Sequence, residues 1–360
     1  MMIKTSIRKL VNREHLTEIE MAGAMEEILN GKTTPAQIGA FVTALRIKGE
    51  TVDEITGAAR IMRKKSVSLN LNNHAVNLDR DEINIDEETL LDTCGTGGGT
   101  QTFNISTATA LVAAGAGVRV GKHGHRAVSN RCGSADVLEN LGVKLDLNHS
   151  SVEQCIHDIG IGFLYAPLYQ GAMKYVAGPR QETGIRTIFN LLGPLTNPAG
   201  ATAQVLGVYE PELTEKIANV LKRLKTHEAF VVCGEGTFDE ISICGPTRIS
   251  HLREQAIDTF EMLPEDYGFH RADPETIKGG NPRQNALIIR EILDGVKGPK
   301  RDVVVLNAGA AFVAAGLDAT FEAGIERARA CIDSGKAKAK LEALIAFTQQ
   351  CGVFVRKELY

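Results

Sequence analysis

The sequence lacks the marks of a secreted, disulfide-bonded or membrane-spanning protein. Its seven cysteines are odd in number, scattered and free of any Cys-x-x-Cys pair, which argues against a disulfide framework and a zinc knuckle. No apolar run approaches the roughly 18 residues of a membrane span, and the N-terminus has no signal-peptide core. We therefore expect a cytoplasmic protein.

An excess of one charge is also lacking. The 40 Lys and Arg residues face 44 Asp and Glu residues, so the net charge is -4. This offers no global field for nucleic acid or an anionic membrane, and any anion site must be local. The 36 glycines and only 11 prolines indicate functional turns rather than disorder, and 360 residues favour about two domains.

Three helix starts occur in the first seventy residues. Thr17, Thr34 and Thr51 each precede a Glu or Gln by three positions, the capping-box pattern. Apolar residues then recur at three- and four-residue spacing, and Gly31 and Gly49 stand where helix ends favour a left-handed residue. These patterns predict an all-α unit.

A polar, acidic stretch over 66–90 follows, and we expect a boundary near residue 80. Beyond it, short β-rich runs alternate with helical patterns; the runs are LLDTC, VRVGK, GFLYA, AQVLGVY and EAFVVCGE. This alternation predicts an α/β fold with a mainly parallel sheet covered by helices. Helical patterns return around 168–190 and dominate the C-terminal part.

The run LLDTCGTGGGTQTFNIST reads as a strand, a glycine-dense turn and a helix start. Glycines let main-chain N–H groups approach an anion, and a helix N-terminus favours negative charge, so phosphate is the expected ligand. No Lys-Ser or Lys-Thr follows the glycines, which excludes a P-loop. Thr100 replaces the third glycine of the dinucleotide fingerprint. A merely tight turn is the alternative, and the donors of the first helical turn weigh against it.

The run KHGHRAVSNRCGSADVLENLGV begins after the next strand and is rich in hydrogen-bond donors. The charged donors are Lys122, Arg126 and Arg131, and the neutral ones are Ser129, Asn130 and Ser134. A second helix starts at its end, which adds another anion-receptive N-terminus. Because neighbouring strand ends meet at one crevice, both loops should face one ligand with several phosphates. The alternative is a solvated basic turn.

A polyphosphate usually arrives with Mg²⁺, which needs only one or two protein carboxylates. Asp239 and Glu240, in the run FDEIS, supply such a pair, with a solvated turn as the alternative. A transition-metal site of His123, His125 and Cys132 lacks a fourth ligand.

Together these two runs, GPRQETGIRTIFNLLGPLTNPA, FDEIS and the later NAGAAF, IDSGKA and LEAL resemble the anthranilate phosphoribosyltransferase family. The resemblance extends from the N-terminal helices almost to the C-terminus. It implies a helical domain of residues 1–80 plus about 168–190, hinged to an α/β domain of residues 81–167 and 191–360. It also implies a homodimer joined through the helical domain. The implied reaction transfers the phosphoribosyl group of 5-phosphoribosyl 1-diphosphate to the amine of anthranilate, a step of tryptophan biosynthesis.

The resemblance also implies residue roles. The diphosphate-bearing sugar would contact Gly95, Gly98, Gly99, Thr102, Asn104, Ile105, Ser106, Thr107, Lys122, His123, Gly124, His125, Arg126, Ala127, Val128, Ser129, Asn130 and Ser134. Anthranilate would contact Gly95, His125 and Arg180. Mg²⁺ would be associated with Ser106, Asp239 and Glu240. Lys122 and Arg126 would stabilise the leaving group electrostatically, and no catalytic base is expected.

Two positions depart from the family pattern. The family has GTGGD and one further residue before TFNIST, whereas this chain has Gly99 and a shorter loop, so altered Mg²⁺ dependence is expected. The family has KHGNR, whose Asn contacts the acceptor, whereas this chain has His125, so the acceptor is less firmly implied than the donor. The alternatives are a same-fold transferase or nucleoside phosphorylase with another acceptor, such as another aminobenzoate, and a non-catalytic nucleic-acid-binding paralogue.

Overall fold

The chain is described by a computed structural model over residues 2–71, 89–97, 102–127 and 132–352. Its helices are α1 Met2–Val11, α2 Glu18–Leu29, α3 Pro35–Lys48, α4 Val52–Lys65, α5 Ile105–Gly115, α6 Ser134–Leu141, α7 His149–Ile159, α8 Ala166–Tyr169, α9 Lys174–Thr183, α10 Ile188–Leu192, α11 Leu213–Arg223, α12 Pro282–Leu293, α13 Pro299–Ala314, α14 Phe321–Asp333 and α15 Lys336–Gln350. Its strands are β1 Leu90–Gly95, β2 Arg119–Gly124, β3 Ile161–Tyr165, β4 Ala203–Gly207, β5 Glu228–Gly234, β6 Thr247–Arg253 and β7 Ala256–Met262. The boundary expected near residue 80 lies outside the described residues.

The three predicted helix starts are confirmed at α2, α3 and α4. Thr17, Thr34 and Thr51 each accept from the N–H three residues on, and the Glu or Gln there bonds back to the capping residue. Gly31 and Gly49 have positive φ, as expected where these helices end. The buried faces of α1–α4 pack with residues of α9, α10 and α11 and with one face of β4 and β5 in a continuous apolar cluster. The N-terminal helices therefore pack on α9, α10 and α11, and α11 in turn packs on β5 and β6.

The seven strands form one sheet in the order β3-β2-β1-β4-β5-β6-β7. The predicted runs form β1 to β5, and these five strands are all parallel. β6 pairs antiparallel with β5, β7 pairs antiparallel with β6, and neither strand was predicted. The predicted mainly parallel sheet is therefore confirmed. Among the described helices, none combines the length and the apolar character needed to cross a membrane.

Candidate active site

The strand order creates a topological switch point between β1 and β4. From β1 the chain builds β2 and β3 on one side, then returns to build β4 and β5 on the other. In open α/β sheets, the loops diverge at such a point and leave a ligand crevice at the carboxyl ends of the strands. Gly95 lies opposite Gly207 at this edge. The two loops predicted to bind phosphate follow β1 and β2 at the same edge.

β1 and β2 stop pairing before they reach the crevice. Their ladder ends at Leu91 and Val120. Beyond it, the fully buried Asp92 carboxylate accepts from the main-chain N–H of His123 at 3.3 Å and from the Asn197 amide at 2.8 Å. Burial raises the pKa of Asp92, which these hydrogen bonds partly oppose. The Asp92 carboxylate therefore takes the place of the missing main-chain hydrogen bonds between β1 and β2, and it fixes the carboxyl end of β2.

Lys122 spans the gap between the same two strands. Its side chain is buried, and Nζ donates to the main-chain oxygen of Thr93 at 2.7 Å and to Ser106 Oγ at 3.3 Å. Burial lowers its pKa, and Asp92 acts in the opposite direction. An ammonium has three donors, so among the described residues these two bonds leave one donor for a ligand. That donor lies at the start of α5.

Asn104 joins three segments at the start of α5. Its amide donates to the main-chain oxygen of Cys132 at 2.9 Å, and its Oδ1 accepts from the Asn285 amide at 3.0 Å. The buried Asn285 in turn accepts from the N–H of Gly280 at 2.7 Å. Asn104, a predicted ligand donor, therefore also ties α5 to the loop before α6 and to α12.

The acidic pair lies across the carboxyl ends of β1 and β4. A Cβ on Gly207 would lie 1.6 Å from the Asp239 main-chain oxygen, and one on Gly95 would lie 2.5 Å from Asp239 Oδ2. Only glycine permits this approach. Glu240 Oε1 accepts from the Ser106 N–H at 3.2 Å. Burial, and then the neighbouring Asp239, raises the pKa of Glu240 to about 8. Its negative charge is therefore costly until a cation compensates it.

Arg126, in the part of the second loop that the structure describes, is already paired with carboxylates. Arg126 donates to Glu139 at 2.7 and 2.8 Å and to Asp136 at 3.3 Å, both in α6. The hydrogen bond to Glu139 raises the pKa of Arg126. His125 is exposed, and its Nδ1 lies 2.7 Å from the main-chain oxygen of Arg126. Arg126 would have to exchange carboxylate partners to meet a phosphate, whereas His125 is open to a ligand.

Arg180 was expected at the acceptor side, and His123 was expected among the residues that contact the diphosphate-bearing sugar. Arg180 of α9 is half-buried, with its guanidinium 5.6 Å from the centre of the Phe189 ring. Burial lowers its pKa. Burial also lowers the pKa of His123 to about 4, so its imidazole is neutral at pH 7. His123 hydrogen-bonds the main chain of Gly193, and its Nε2 has no partner among the described residues.

The remaining predicted residues fall into two groups. Within the described residues, Ile105 and Thr107 are buried in α5, Thr102 forms a bridge with Lys278, and Ala127 donates to Asp136. A Cβ on Gly124 would lie 2.0 Å from Ser134 Oγ, so the second loop packs closely on the start of α6. Outside the described residues lie Gly98, Gly99, Thr100, Val128, Ser129, Asn130 and Arg131.

The acidic residues fit a magnesium ion that is shared with a substrate. Within the described ranges, no group of three or more His, Cys, Asp and Glu side chains could hold a metal by itself, and this includes His123, His125 and Cys132. Mg²⁺ commonly takes one or two protein carboxylates and completes its shell with phosphates and water. Asp239 and Glu240, beside Ser106, match that requirement.

Sequence reasoning missed four buried residues whose side chains hydrogen-bond the segments that carry the candidate site residues. They are Asp92, Asn197, Asn285 and Asn307, all at most 1% exposed except Asn197 at 8%. The available signal was a polar side chain inside an apolar run, as with Asn307 in VVVLNAGAAFVA. Such residues require a hydrogen-bond partner when buried, but the sequence does not identify that partner.

Comparison with known proteins assigns the fold and the chemistry. Residues 4–66 match the helical bundle domain of the glycosyl transferase family, and residues 87–338 match its α/β domain. Anthranilate phosphoribosyltransferase of Geotalea uraniireducens is 54% identical over 350 residues, covering 97% of this chain and 100% of that protein.

Solved structures agree with this assignment. The anthranilate phosphoribosyltransferase crystal structure from Thermus thermophilus has a TM-score of 0.87 and 41% identity, covering 96% of this chain and 99% of its own. The Saccharomyces cerevisiae enzyme in complex with PRPP (5-phosphoribosyl 1-diphosphate) and Mg has a TM-score of 0.84 and 28% identity, covering 96% of this chain and 98% of its own. Neither the phosphorylase nor the nucleic-acid-binding alternative gains support from these likenesses. The chain belongs to the anthranilate phosphoribosyltransferase family, enzymes that transfer a phosphoribosyl group to the amine of anthranilate.

Proposed function

We propose that this transfer takes place in the crevice between β1 and β4, with the donor's diphosphate at the start of α5. The observation that carries the proposal is the convergence of Lys122, the N-terminus of α5 and the acidic pair at the switch point. Lys122 and the first N–H groups of α5 favour the negative diphosphate, whereas Asp239 and Glu240 would repel it. A divalent cation between the two resolves that conflict.

Asp239 and Glu240 would hold Mg²⁺, with Ser106 beside them. This assignment is supported by the PRPP and Mg complex of the yeast relative and by the raised pKa of Glu240. When bound, the ion would neutralise charge on the departing diphosphate. We expect the binding of donor and metal to be mutually dependent, because the protein supplies too few ligands for either alone.

The anthranilate carboxylate would meet Arg180, and its ring would lie toward His125 and Gly95. A half-buried guanidinium that packs against an aromatic ring retains its donors for a carboxylate. Placing the acceptor there sets its amine toward the anomeric carbon of the donor. Holding two reactants in attack geometry contributes much of the rate in such displacements.

The mechanism is electrostatic. Breaking the bond to diphosphate places positive charge on the sugar ring and negative charge on the leaving group. Lys122 and the N-terminus of α5 stabilise the leaving charge, and Arg126 adds to it if it exchanges Glu139 for a phosphate. An aromatic amine is neutral at pH 7, so no strong base is needed before attack. His123 is neutral and serves to shape the pocket.

The two departures from the family pattern make separate proposals. His125 would replace the family's Asn as an acceptor contact, since imidazole can donate or accept. The absence of a carboxylate at Gly99 would change Mg²⁺ dependence. An Mg²⁺ activity titration that is unchanged when Asp is inserted after Gly98 would refute the second proposal.

We further propose the 1–80 plus 168–190 helical domain, cytoplasmic location and a homodimer joined through that domain. The dimer is supported by exposed apolar side chains on the N-terminal helices, with Ile19 at 81%, Ile47 at 69% and Val11 at 66% exposure. Light scattering should give twice the chain mass, and Ile19→Asp with Ile47→Asp should reduce it to one chain. A monomeric parent protein would refute the dimer.

The function is tested by diphosphate release with PRPP and Mg²⁺, comparing anthranilate with 3- and 4-aminobenzoate. We expect release with anthranilate in the parent protein and within about tenfold of it for His125→Asn. Release only with another acceptor, or only after His125→Asn, would show that the acceptor pocket has diverged. No release with any acceptor would refute the proposed function.

A further inference from the structure

A buried side chain of helix α13 bonds the main chain of the loop that carries the acidic pair. Asn307 Oδ1 accepts from the main-chain N–H of Ile241 at 3.0 Å, and Asn307 Nδ2 donates to the Ile241 main-chain oxygen at 2.9 Å. Ile241 directly follows Glu240. One amide thus bonds both main-chain groups of the residue after the pair, as a neighbouring strand would.

The sheet supports this loop at its two ends, where the Gly234 N–H donates to the Phe238 oxygen at 2.7 Å and Thr247 Oγ1 accepts from the Ser242 N–H at 2.9 Å. Residues 235–246 lie between β5 and β6, outside the ladder, and cross the ends of β1 and β4. The Asp239 main chain packs against Gly207, which fixes the loop from the sheet side. Phe238 and Ile241 are buried at 2% and 0% exposure on either side of the pair. Asn307 adds a polar contact at Ile241, the residue that directly follows the pair.

Asn307 is also unusual within its own helix. Residues 303–314 of α13 are all buried, and Asn307 is the amide among otherwise apolar side chains and one glycine. Its Nδ2 also donates to the Val303 oxygen at 2.8 Å, which fixes the orientation of the amide. α13 packs against α5, β4 and β5, the elements that frame the crevice. The amide therefore ties the acidic loop to a helix that packs against α5, which carries Ser106.

We propose that Asn307 is a positioning residue for the reaction, which acts by holding Asp239 and Glu240 where a diphosphate-bound divalent cation needs them. The inference rests on the proposed function of the acidic pair. It predicts that losing the amide weakens metal binding more than it weakens acceptor binding, because Arg180 and His125 lie on other segments.

The test compares Asn307→Leu, which is close in size and removes all three bonds, with the parent protein. Free Mn²⁺ is measured by electron paramagnetic resonance with PRPP present, and Mg²⁺ activation is measured at saturating substrates. We expect the metal concentration for half-saturation to rise at least tenfold in both assays, with the KM for anthranilate changed less than threefold.

Thr348→Val is the matched control. Thr348 lies in α15, away from the crevice, and is 2% exposed. Its hydroxyl accepts from the Lys144 N–H at 3.2 Å. It should lower the melting temperature without changing Mn²⁺ binding. Asn307→Ser, which adds no bulk, replaces Asn307→Leu if the latter does not fold, with the same expected direction.

The inference would be overturned if Asn307→Leu lowered the melting temperature as the control does but kept the metal concentration for half-saturation within twofold of the parent protein. Asn307 would then serve only the fold. An equal loss for metal and anthranilate would overturn it as well. A parent protein that neither takes up Mn²⁺ with PRPP nor releases diphosphate would refute the proposed function itself.

Discussion

Replacing Gly207 by alanine should disable the site through a single methyl group. The added Cβ would lie 1.6 Å from the Asp239 main-chain oxygen and 2.3 Å from its carbonyl carbon, whereas real Cβ contacts essentially never fall below 3.0 Å. The loop must therefore retreat by about 1.4 Å, since strand β4 is fixed by pairing on both sides. A displacement of about 1 Å at reacting groups costs on the order of 100-fold in rate. Overpacking of this kind also costs about 3 kcal/mol of unfolding free energy.

The assay is diphosphate release at varied PRPP and Mg²⁺, together with urea unfolding. We expect Gly207→Ala to lower kcat/KM for PRPP about 100-fold, with Mg²⁺ activation shifted to higher concentration. Gly39→Ala, within helix α3, is the control, because a Cβ there would meet Thr183 Cγ2 at an ordinary 3.8 Å. Alanine is favoured over glycine inside a helix, so the unfolding free energy should rise by about 0.5–1 kcal/mol. The reasoning would be refuted if Gly207→Ala kept kcat/KM within twofold of the parent protein and its unfolding free energy within about 1 kcal/mol.

Two further predictions concern stability. The pKa of His123 is about 4 in the folded protein, against an ordinary value of 6.5. Its contribution to the unfolding free energy is therefore fully present above pH 6.5 and is lost as the pH falls toward 4. Between pH 8 and pH 5 the parent protein should lose about 2 kcal/mol more unfolding free energy than His123→Gln; parallel urea-unfolding curves would contradict this. Glu54→Gln removes the carboxylate that lies 2.9 Å from the buried Lys48 ammonium, which keeps the Gly49 oxygen and His15 Nδ1 as partners, and should cost about 3–5 kcal/mol. The half-exposed pair Lys338 and Asp294 provides the control, since Asp294→Asn should cost under about 1 kcal/mol; equal losses would contradict the assignment.

Local patterns predicted much of the fold. The capping boxes at Thr17, Thr34 and Thr51 depend on residues three positions apart, and all three formed as expected. The five parallel strands were predicted because buried parallel strands form apolar runs. β6 and β7 were missed because polar and charged residues interrupt both TRISHLR and AIDTFEM, and β7 is also mostly exposed, with only Met262 fully buried. A polar edge strand carries a weaker signal than a buried one.

The candidate site was only partly predictable. Lys122 and Glu240 were identified from their loops, but their approach to Ser106 depends on the order of strands in the sheet. Asn307 could not be paired with Ile241 from sequence, because 66 positions separate them. Arg126 was predicted as a charged donor for phosphate, and its pairing with Glu139 was not foreseen, because the sequence gives no direction for a side chain in the following helix.

The most direct test of the account is the affinity for PRPP with Mg²⁺, measured by calorimetry for the parent protein and Lys122→Met. Lys122 is buried, contacts Thr93 and Ser106, and is proposed to direct its remaining donor at the diphosphate. The account predicts at least 100-fold weaker PRPP binding in Lys122→Met, because a desolvated charge-assisted contact is lost, with anthranilate affinity within threefold of the parent protein. Unchanged PRPP affinity in a folded Lys122→Met protein would contradict the placement of the donor in this crevice.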